Sequence, residues 1–226
     1  MKRTLVLLIG VVTSLYSVAQ VSIGVQGTGN LSDAHIKLED VYTKNTKVFP
    51  GAGIVADIAL KPSLTIRTGI NYQQHGITLK STMPAEGDIP VDEISVKGTL
   101  NLNYVQVPLN VLFTTQGRLQ FFAGGGPYAS FAVSGKSKVE ATYKFSNGST
   151  EVEKEEGNPF EKDENGKTSF KRLDYGIGVL AGVKLPGNLF ASVGYQYSLA
   201  NINNTQDEQY KNRGLQLSIG YYLFRK

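Results

Sequence analysis

The sequence contains no cysteine among its 226 residues. Disulfides, thiolate metal sites and a lipid-modified N-terminal cysteine are therefore excluded. Histidine is nearly as scarce, with two residues, and beyond the N-terminus no apolar run is long enough for a transmembrane helix. The formal net charge is only +4, and no basic stripe or basic-aromatic repeat indicates nucleic-acid binding. If this chain crosses a membrane, it crosses with strands.

The N-terminal segment has the three parts of a secretory signal peptide. Met1-Lys2-Arg3 is a basic start, residues 4–18 form an uncharged and mostly apolar run, and Ser17 and Ala19 are small residues at the positions that a signal peptidase reads. The run is shorter than the ~20 residues that a membrane anchor needs. We therefore predict a cleaved signal peptide, residues 1–19, and a mature domain, residues 20–226. The alternatives are an uncleaved anchor and a buried helix.

After the signal peptide, apolar and polar residues alternate with a period of two, which predicts an all-β fold. The clearest case is 215–224, where Leu215, Leu217 and Ile219 share one face with Tyr221. Seven further segments show the same alternation: 21–28, 52–60, 64–74, 100–114, 119–133, 175–185 and 189–199. About eight strands result, many of them near the 9–11 residues of a tilted membrane strand.

Short and long connections alternate along the chain. The short ones, 61–63, 115–117 and 186–188, consist of typical turn residues. The long ones, near 31–48, 80–98, 134–171 and 200–213, are polar, and we predict that they are loops. This alternation is typical of an antiparallel up-and-down transmembrane β-barrel, in which one rim carries tight turns and the other carries long loops.

One set of alternating side chains is apolar, and the other is rich in glycine, serine and glutamine. The second set would make a poor hydrophobic core but suits the interior of a narrow barrel. We therefore expect the apolar set to face lipid. Aromatic residues near the predicted strand ends suit interfacial girdles: Tyr72, Phe113, Tyr175, Tyr197 and Tyr221. The alternative is a secreted or periplasmic β-sandwich or a lipocalin-like barrel.

Segment 100–114 alternates irregularly. Leu100, Leu102 and Tyr104 share one parity, whereas the apolar residues from Val105 to Phe113 share the other. We predict a β-bulge near Tyr104 that shifts the phase of the strand by one residue.

Several strand motifs resemble those of the PorT-like outer-membrane β-barrel family of Bacteroidetes-type bacteria. They are LNYVQVPL (102–109), GGGPY (124–128), DYGIG (174–178), GYQYSLANI (194–202) and LSIGYYLF (217–224). The resemblance covers the mature chain and implies an eight-stranded barrel in the bacterial outer membrane, in contact with lipid and inserted by the barrel-assembly machinery. The last motif is the candidate assembly signal, with Leu217, Ile219, Gly220, Tyr221 and Phe224; Arg225 and Lys226 follow it, a departure from the usual terminal aromatic residue.

Residues for catalysis or metal binding are sparse. His35 lies in the first long connection, and His75 has the inward parity of its strand, where it could meet a serine. We therefore predict no enzyme, with a lipid-modifying hydrolase or acyltransferase as the alternative, and no cofactor or metal site. The Asn147-Gly148 and 163–166 segments predict hairpin turns, and the acidic residues around them predict a solvated face.

We predict an interior ion pair between Asp57 and Arg67. If the turn centres on Pro62, these two residues lie directly opposite each other, both with the inward parity. Asp174 and Lys184 have the same parity in a later strand and could extend this network or neutralise charge at either rim.

The sequence alone supports two functions. The first is a structural anchor or interaction scaffold that presents loops to an envelope or extracellular partner. The second is a narrow porin-like pore for small solutes, although about eight strands leave no open channel unless the interior is hydrated.

Overall fold

The computed structural model of the protein describes residues 20–36, 43–84, 91–164, 166–204 and 209–225. The predicted signal peptide therefore lies outside the described residues. Those residues form the strands β1 (Gln20–Ile36), β2 (Thr43–Asn45), β3 (Lys47–Lys61), β4 (Leu64–Pro84), β5 (Val91–Thr114), β6 (Gln120–Phe145), β7 (Thr150–Gly157), β8 (Leu173–Lys184), β9 (Leu189–Ser198) and β10 (Tyr210–Phe224). No helix in this part of the chain is long and apolar enough to cross a membrane.

Eight of these strands close into an antiparallel barrel. Each strand pairs with the next along the chain in the order β1, β3, β4, β5, β6, β8, β9 and β10. β10 then pairs with β1, with Leu217 opposite Gly29, and this pairing leaves the barrel without a free edge. β2 adds to β4 and β7 adds to β6 beyond the barrel. The predicted all-β fold of about eight strands is confirmed.

Along each barrel strand, side chains alternate between an apolar set that faces outward and a small or polar set that faces inward. On β10, Leu217 and Ile219 are 61% and 70% exposed, whereas Gly220 and Tyr222 are buried. The exposed side chains on every wall of the barrel are similarly Val, Leu, Ile, Phe and Tyr. Apolar side chains cover the outside, as a barrel in lipid requires.

Three tight turns lie on one rim. β3 joins β4 through 62–63, β5 joins β6 through 115–119, and β8 joins β9 through 185–188. Gly117 and Gly187 have φ of 125° and 85°, which favour glycine, and Asn188 has φ 72°. Gln20 pairs with Ala59 near the first of these turns, and Phe224 pairs with Ile23, so both described chain ends lie at this short-turn rim.

At the other rim, much of what we predicted as loop is strand. β4 and β5 stay paired out to Pro84 and Glu93, inside the predicted 80–98 loop. β6 continues to Phe145 and returns as β7, inside the predicted 134–171 loop, through a turn in which the Gly148 N–H donates to the Phe145 carbonyl. The polar composition of these segments reflects strands solvated on both faces, which lack the apolar-polar alternation that we used to find strands.

The phase shift predicted in β5 does not occur. Leu100, Leu102 and Tyr104 are buried inside the barrel together with Gln106, so one parity faces inward throughout. The irregularity at this level lies in the partner strand, where Asn103 pairs with Ser134 but Tyr104 pairs with Ala132. The three apolar side chains face inward because this end of the barrel is filled by an apolar cluster.

Candidate functional site in the barrel interior

Asp57 and Arg67 meet inside the barrel near the short-turn rim. The β3–β4 register places them directly opposite each other. Arg67 Nε donates to Asp57 Oδ1 at 2.7 Å, and Arg67 Nη2 donates to Oδ2 at 2.9 Å. Both side chains are almost fully buried, at 3% and 5% exposed. This bidentate geometry is the strongest form of a guanidinium-carboxylate pair.

Two residues from across the barrel join this pair. Lys184 of β8 lies with Nζ 2.8 Å from Asp57 Oδ2. The Tyr222 hydroxyl of β10 donates to the same oxygen at 2.6 Å and accepts a hydrogen bond from Arg67 Nη2 at 2.7 Å. Asp57, Arg67, Lys184 and Tyr222, here called the charged cluster, therefore tie four strands together through one carboxylate.

Two aromatic rings enclose the charged cluster. The Arg67 guanidinium lies 4.4 Å from the ring centroid of Phe122 and 5.0 Å from that of Phe190. Such contacts attract the cation to the ring faces. Glycine makes room for both rings, because a Cβ at Gly182 would lie 2.5 Å from Phe122 Cζ and one at Gly220 would overlap the Phe190 ring. The inward glycines thus allow large rings in a narrow barrel.

Four glutamine side chains, here called the glutamine belt, cross the barrel interior next to the charged cluster, on the side away from the short-turn rim. Gln73 donates to Gln106 at 2.6 Å, Gln106 donates to Gln196 at 3.0 Å, and Gln216 donates to Gln73 at 2.7 Å. Between the belt and Arg67 lies a cavity of about 60 Å³. That volume holds only a few water molecules. Polar side chains therefore fill this level of the barrel almost completely.

Asp174 lies at the opposite end of β8 from Lys184, roughly 33 Å away along the strand at 3.3 Å per residue. It accepts hydrogen bonds from Ser198 Oγ at 2.5 Å and from Asn212 Nδ2 at 2.8 Å. Both residues are buried with it. Of the four predicted interior charges, the structure brings together Asp57, Arg67 and Lys184, and places Asp174 in a separate site.

An apolar cluster closes the barrel at this far end. It consists of Ala34, Ile77, Leu100, Leu102, Tyr104, Ala132, Phe160, Ala200, Ile202 and Tyr210. Phe160 and Ile202 come from the connections that follow β7 and β9, so these connections fold inward over the barrel mouth.

The described surroundings of His75 are an amide and an aromatic ring. His75 is buried inside the barrel, as its parity predicted, and its Nδ1 lies 3.4 Å from Asn30 Nδ2. Its ring meets Tyr104 edge-on, with centroids 5.7 Å apart. His35 lies in β1. No group of three metal-ligating side chains occurs in the part of the chain that the structure describes.

The residues of the candidate assembly signal divide between the two faces of β10. Leu217, Ile219, Tyr221 and Phe224 are exposed on the outer surface, whereas Gly220 points inward against Phe190.

Sequence reasoning missed the roles of Tyr222, Phe122, Phe190 and the glutamine belt. All of them have the inward parity of their strands, and that parity was the available signal. Their mutual contacts depend on how far each strand is shifted around the closed barrel, which no local pattern gives.

A closed antiparallel barrel with an apolar exterior and a polar interior defines a transmembrane β-barrel protein. The sequence matches the family described as outer membrane protein beta-barrel domain over residues 18–204. The chain belongs to this family and is a protein of the bacterial outer membrane.

The solved structures to which the chain is similar are distant from it in sequence and in structure. Ail, the attachment invasion locus protein of Yersinia pestis, has 13% sequence identity and a TM-score of 0.36, with 91% of this chain and 97% of that chain covered. Neisserial surface protein A has 16% identity and a TM-score of 0.35, with 89% and 97% covered. OprG from Pseudomonas aeruginosa has 10% identity and a TM-score of 0.40, with 92% and 96% covered. No curated protein matches the sequence.

Proposed function

We propose that the protein is an outer-membrane anchor that holds an interaction scaffold at the cell surface, and that it is not a pore. The observation that carries this proposal is the filled interior. The charged cluster with its two aromatic rings, the glutamine belt and the apolar cluster close the described barrel at three successive levels. A solute would have to break a bidentate ion pair to pass the first of these levels.

The extension beyond the barrel supplies the scaffold. The β4–β5 and β6–β7 pairs project as one sheet, and ion pairs link its strands. Lys144 Nζ lies 2.5 Å from Glu93, Lys97 Nζ lies 3.2 Å from Glu140, and Lys136 Nζ lies 2.6 Å from Glu156. Ordered strands outside the membrane present a fixed surface to an envelope or extracellular partner, whereas a pore has no need of them.

The orientation follows from the rims. We propose that the short-turn rim and both chain ends face the periplasm and that the sheet extension faces outward, as in bacterial barrels of this kind. A PorT-like assignment within the family rests on the strand motifs of the sequence, and so does recognition of 217–224 by the barrel-assembly machinery.

Planar-bilayer recording of the refolded mature protein tests the anchor against the pore. If the protein is an anchor, we expect it to insert without discrete conductance steps. Heat-denatured protein is the control for detergent artefacts. Uniform, ion-selective steps that appear with each insertion would overturn the proposal and establish the porin-like alternative.

A further inference from the structure

The charged cluster carries an excess of positive charge. Lys184 and Arg67 both contact Asp57, so two cations share one carboxylate. The Lys184 side chain is only 10% exposed, and that of Arg67 only 5%. Because an uncompensated charge is costly in a poorly hydrated interior, a second anion beside this cluster would be stabilising.

A cavity of about 370 Å³ opens beside the cluster at the short-turn rim. Asp57 and Lys184 form its inner wall, and Lys61 and Arg225 line it nearer the rim. Asp57 is the only carboxylate among the lining residues that the structure describes, against three cationic side chains. The cavity therefore attracts negative charge, and none of its described lining residues offers a second carboxylate.

One polar group in the wall of this cavity is buried without a partner. The Thr114 side chain is 7% exposed. Its hydroxyl forms no hydrogen bond with any residue in the described part of the chain. A buried hydroxyl normally donates or accepts at least one hydrogen bond. The Thr114 oxygen has almost no accessible surface, so the side chain would have to rotate to meet an atom that enters the cavity.

We propose that this cavity, here called the rim site, binds one small oxyanion such as inorganic phosphate. Lys184 would provide the charge from the inner wall, and Arg225 and Lys61 would provide it from the rim. After rotation of its side chain, the Thr114 hydroxyl would donate a hydrogen bond. Arg225 is already oriented at this mouth, since its Nη2 donates to Gln120 Oε1 at 2.9 Å. A cavity of this size admits a phosphate group with part of a larger solute attached.

Isothermal titration of inorganic phosphate into the refolded mature protein tests the site. The detergent must carry no phosphate, so dodecyl maltoside is suitable, and sodium chloride holds the ionic strength constant. We expect saturable binding at one site. Arg225→Gln should weaken that binding roughly tenfold through loss of a charge-assisted contact, and Lys184→Met should weaken it at least as much because it removes the excess buried charge.

Arg118→Gln is the matched control, because Arg118 is an exposed cation on the same rim that does not line the cavity. It should leave the affinity unchanged. If Lys184→Met fails to fold, as judged by its heat-dependent gel shift, Arg225→Gln alone decides. Absence of saturable binding, unchanged affinity in Arg225→Gln, or an equal loss in Arg118→Gln would each overturn the proposal.

Discussion

Replacing Asp57 by Asn should strongly destabilise the barrel. The amide keeps the shape of the side chain but removes the charge that holds Arg67 and Lys184 together. Arg67 Nη2 and Lys184 Nζ lie within 2.9 Å and 2.8 Å of the same Asp57 oxygen, so they are at most about 5.7 Å apart. At an effective dielectric constant of about 20, two unit charges at that separation repel by about 3 kcal/mol. That repulsion is also present in the native cluster, where the attraction of both cations to Asp57 outweighs it. The substitution removes this attraction, and breaking a buried ion pair on one side typically costs roughly 3–5 kcal/mol.

Urea-dependent folding into phospholipid vesicles measures this free energy of unfolding. The chain contains no tryptophan, so far-UV circular dichroism and the heat-dependent gel shift report folding. Glu155→Gln, an exposed carboxylate on β7, is the matched control and should have no measurable effect.

A triple variant separates charge repulsion from lost packing. Asp57→Asn combined with Arg67→Gln and Lys184→Gln leaves no buried charge in the cluster and should regain much of the lost stability. A loss below about 1 kcal/mol for Asp57→Asn alone would refute the reasoning, because it would mean that the cluster is well hydrated. A triple variant less stable than Asp57→Asn would show that packing, and not charge, dominates.

Three further predictions concern processing, orientation and the surface sheet. Mass spectrometry of the mature protein should show cleavage after Ala19, and a chain that still begins at Met1 would contradict it. Protease added to intact cells should cut within 134–171 and spare the 61–63 turn. Cleavage at that turn would show that the barrel has the opposite orientation. Hydrogen bonds from two lysines lower the pKa of Glu156 from 4.5 to about 2, so these bridges stabilise the β6–β7 hairpin above the ordinary carboxyl pKa and are lost as the pH falls through 2. A ¹³C NMR titration of its carboxyl should have its midpoint near 2, and a midpoint near 4.5 would contradict the pairing.

The barrel and the Asp57–Arg67 register could be predicted from sequence because both depend on local information. Period-two alternation identifies the strands. The turn is not centred on Pro62 as we assumed, because Leu64 pairs with Lys61. The shift between Ala59 and Lys61 restores the predicted register, in which Asp57 faces Arg67. The contacts of Lys184 and Tyr222 could not be predicted in this way. They cross the barrel, and they depend on strand stagger around the whole ring.

Two errors share one physical cause. We equated apolar parity with the lipid face, and this rule fails at Leu100, Leu102 and Tyr104, where apolar side chains fill the barrel mouth. We equated polar composition with loops, and this rule fails where β4 to β7 continue into water. Both rules assume a membrane environment, and both fail at the end of the barrel that leaves it.

A nitroxide scan of β10 tests the central claim most directly, namely that the apolar parity faces lipid while the other parity packs inside a closed barrel. The cysteine-free chain allows a single cysteine at each position from 215 to 219 and at 221 without background labelling. In vesicles, labels at 217, 219 and 221 should collide with oxygen, which dissolves in lipid, and those at 216 and 218 should be shielded from both oxygen and a water-soluble nickel reagent. Nickel access at 217, 219 and 221 would contradict the membrane barrel, and nickel access at 216 and 218 would contradict the filled interior.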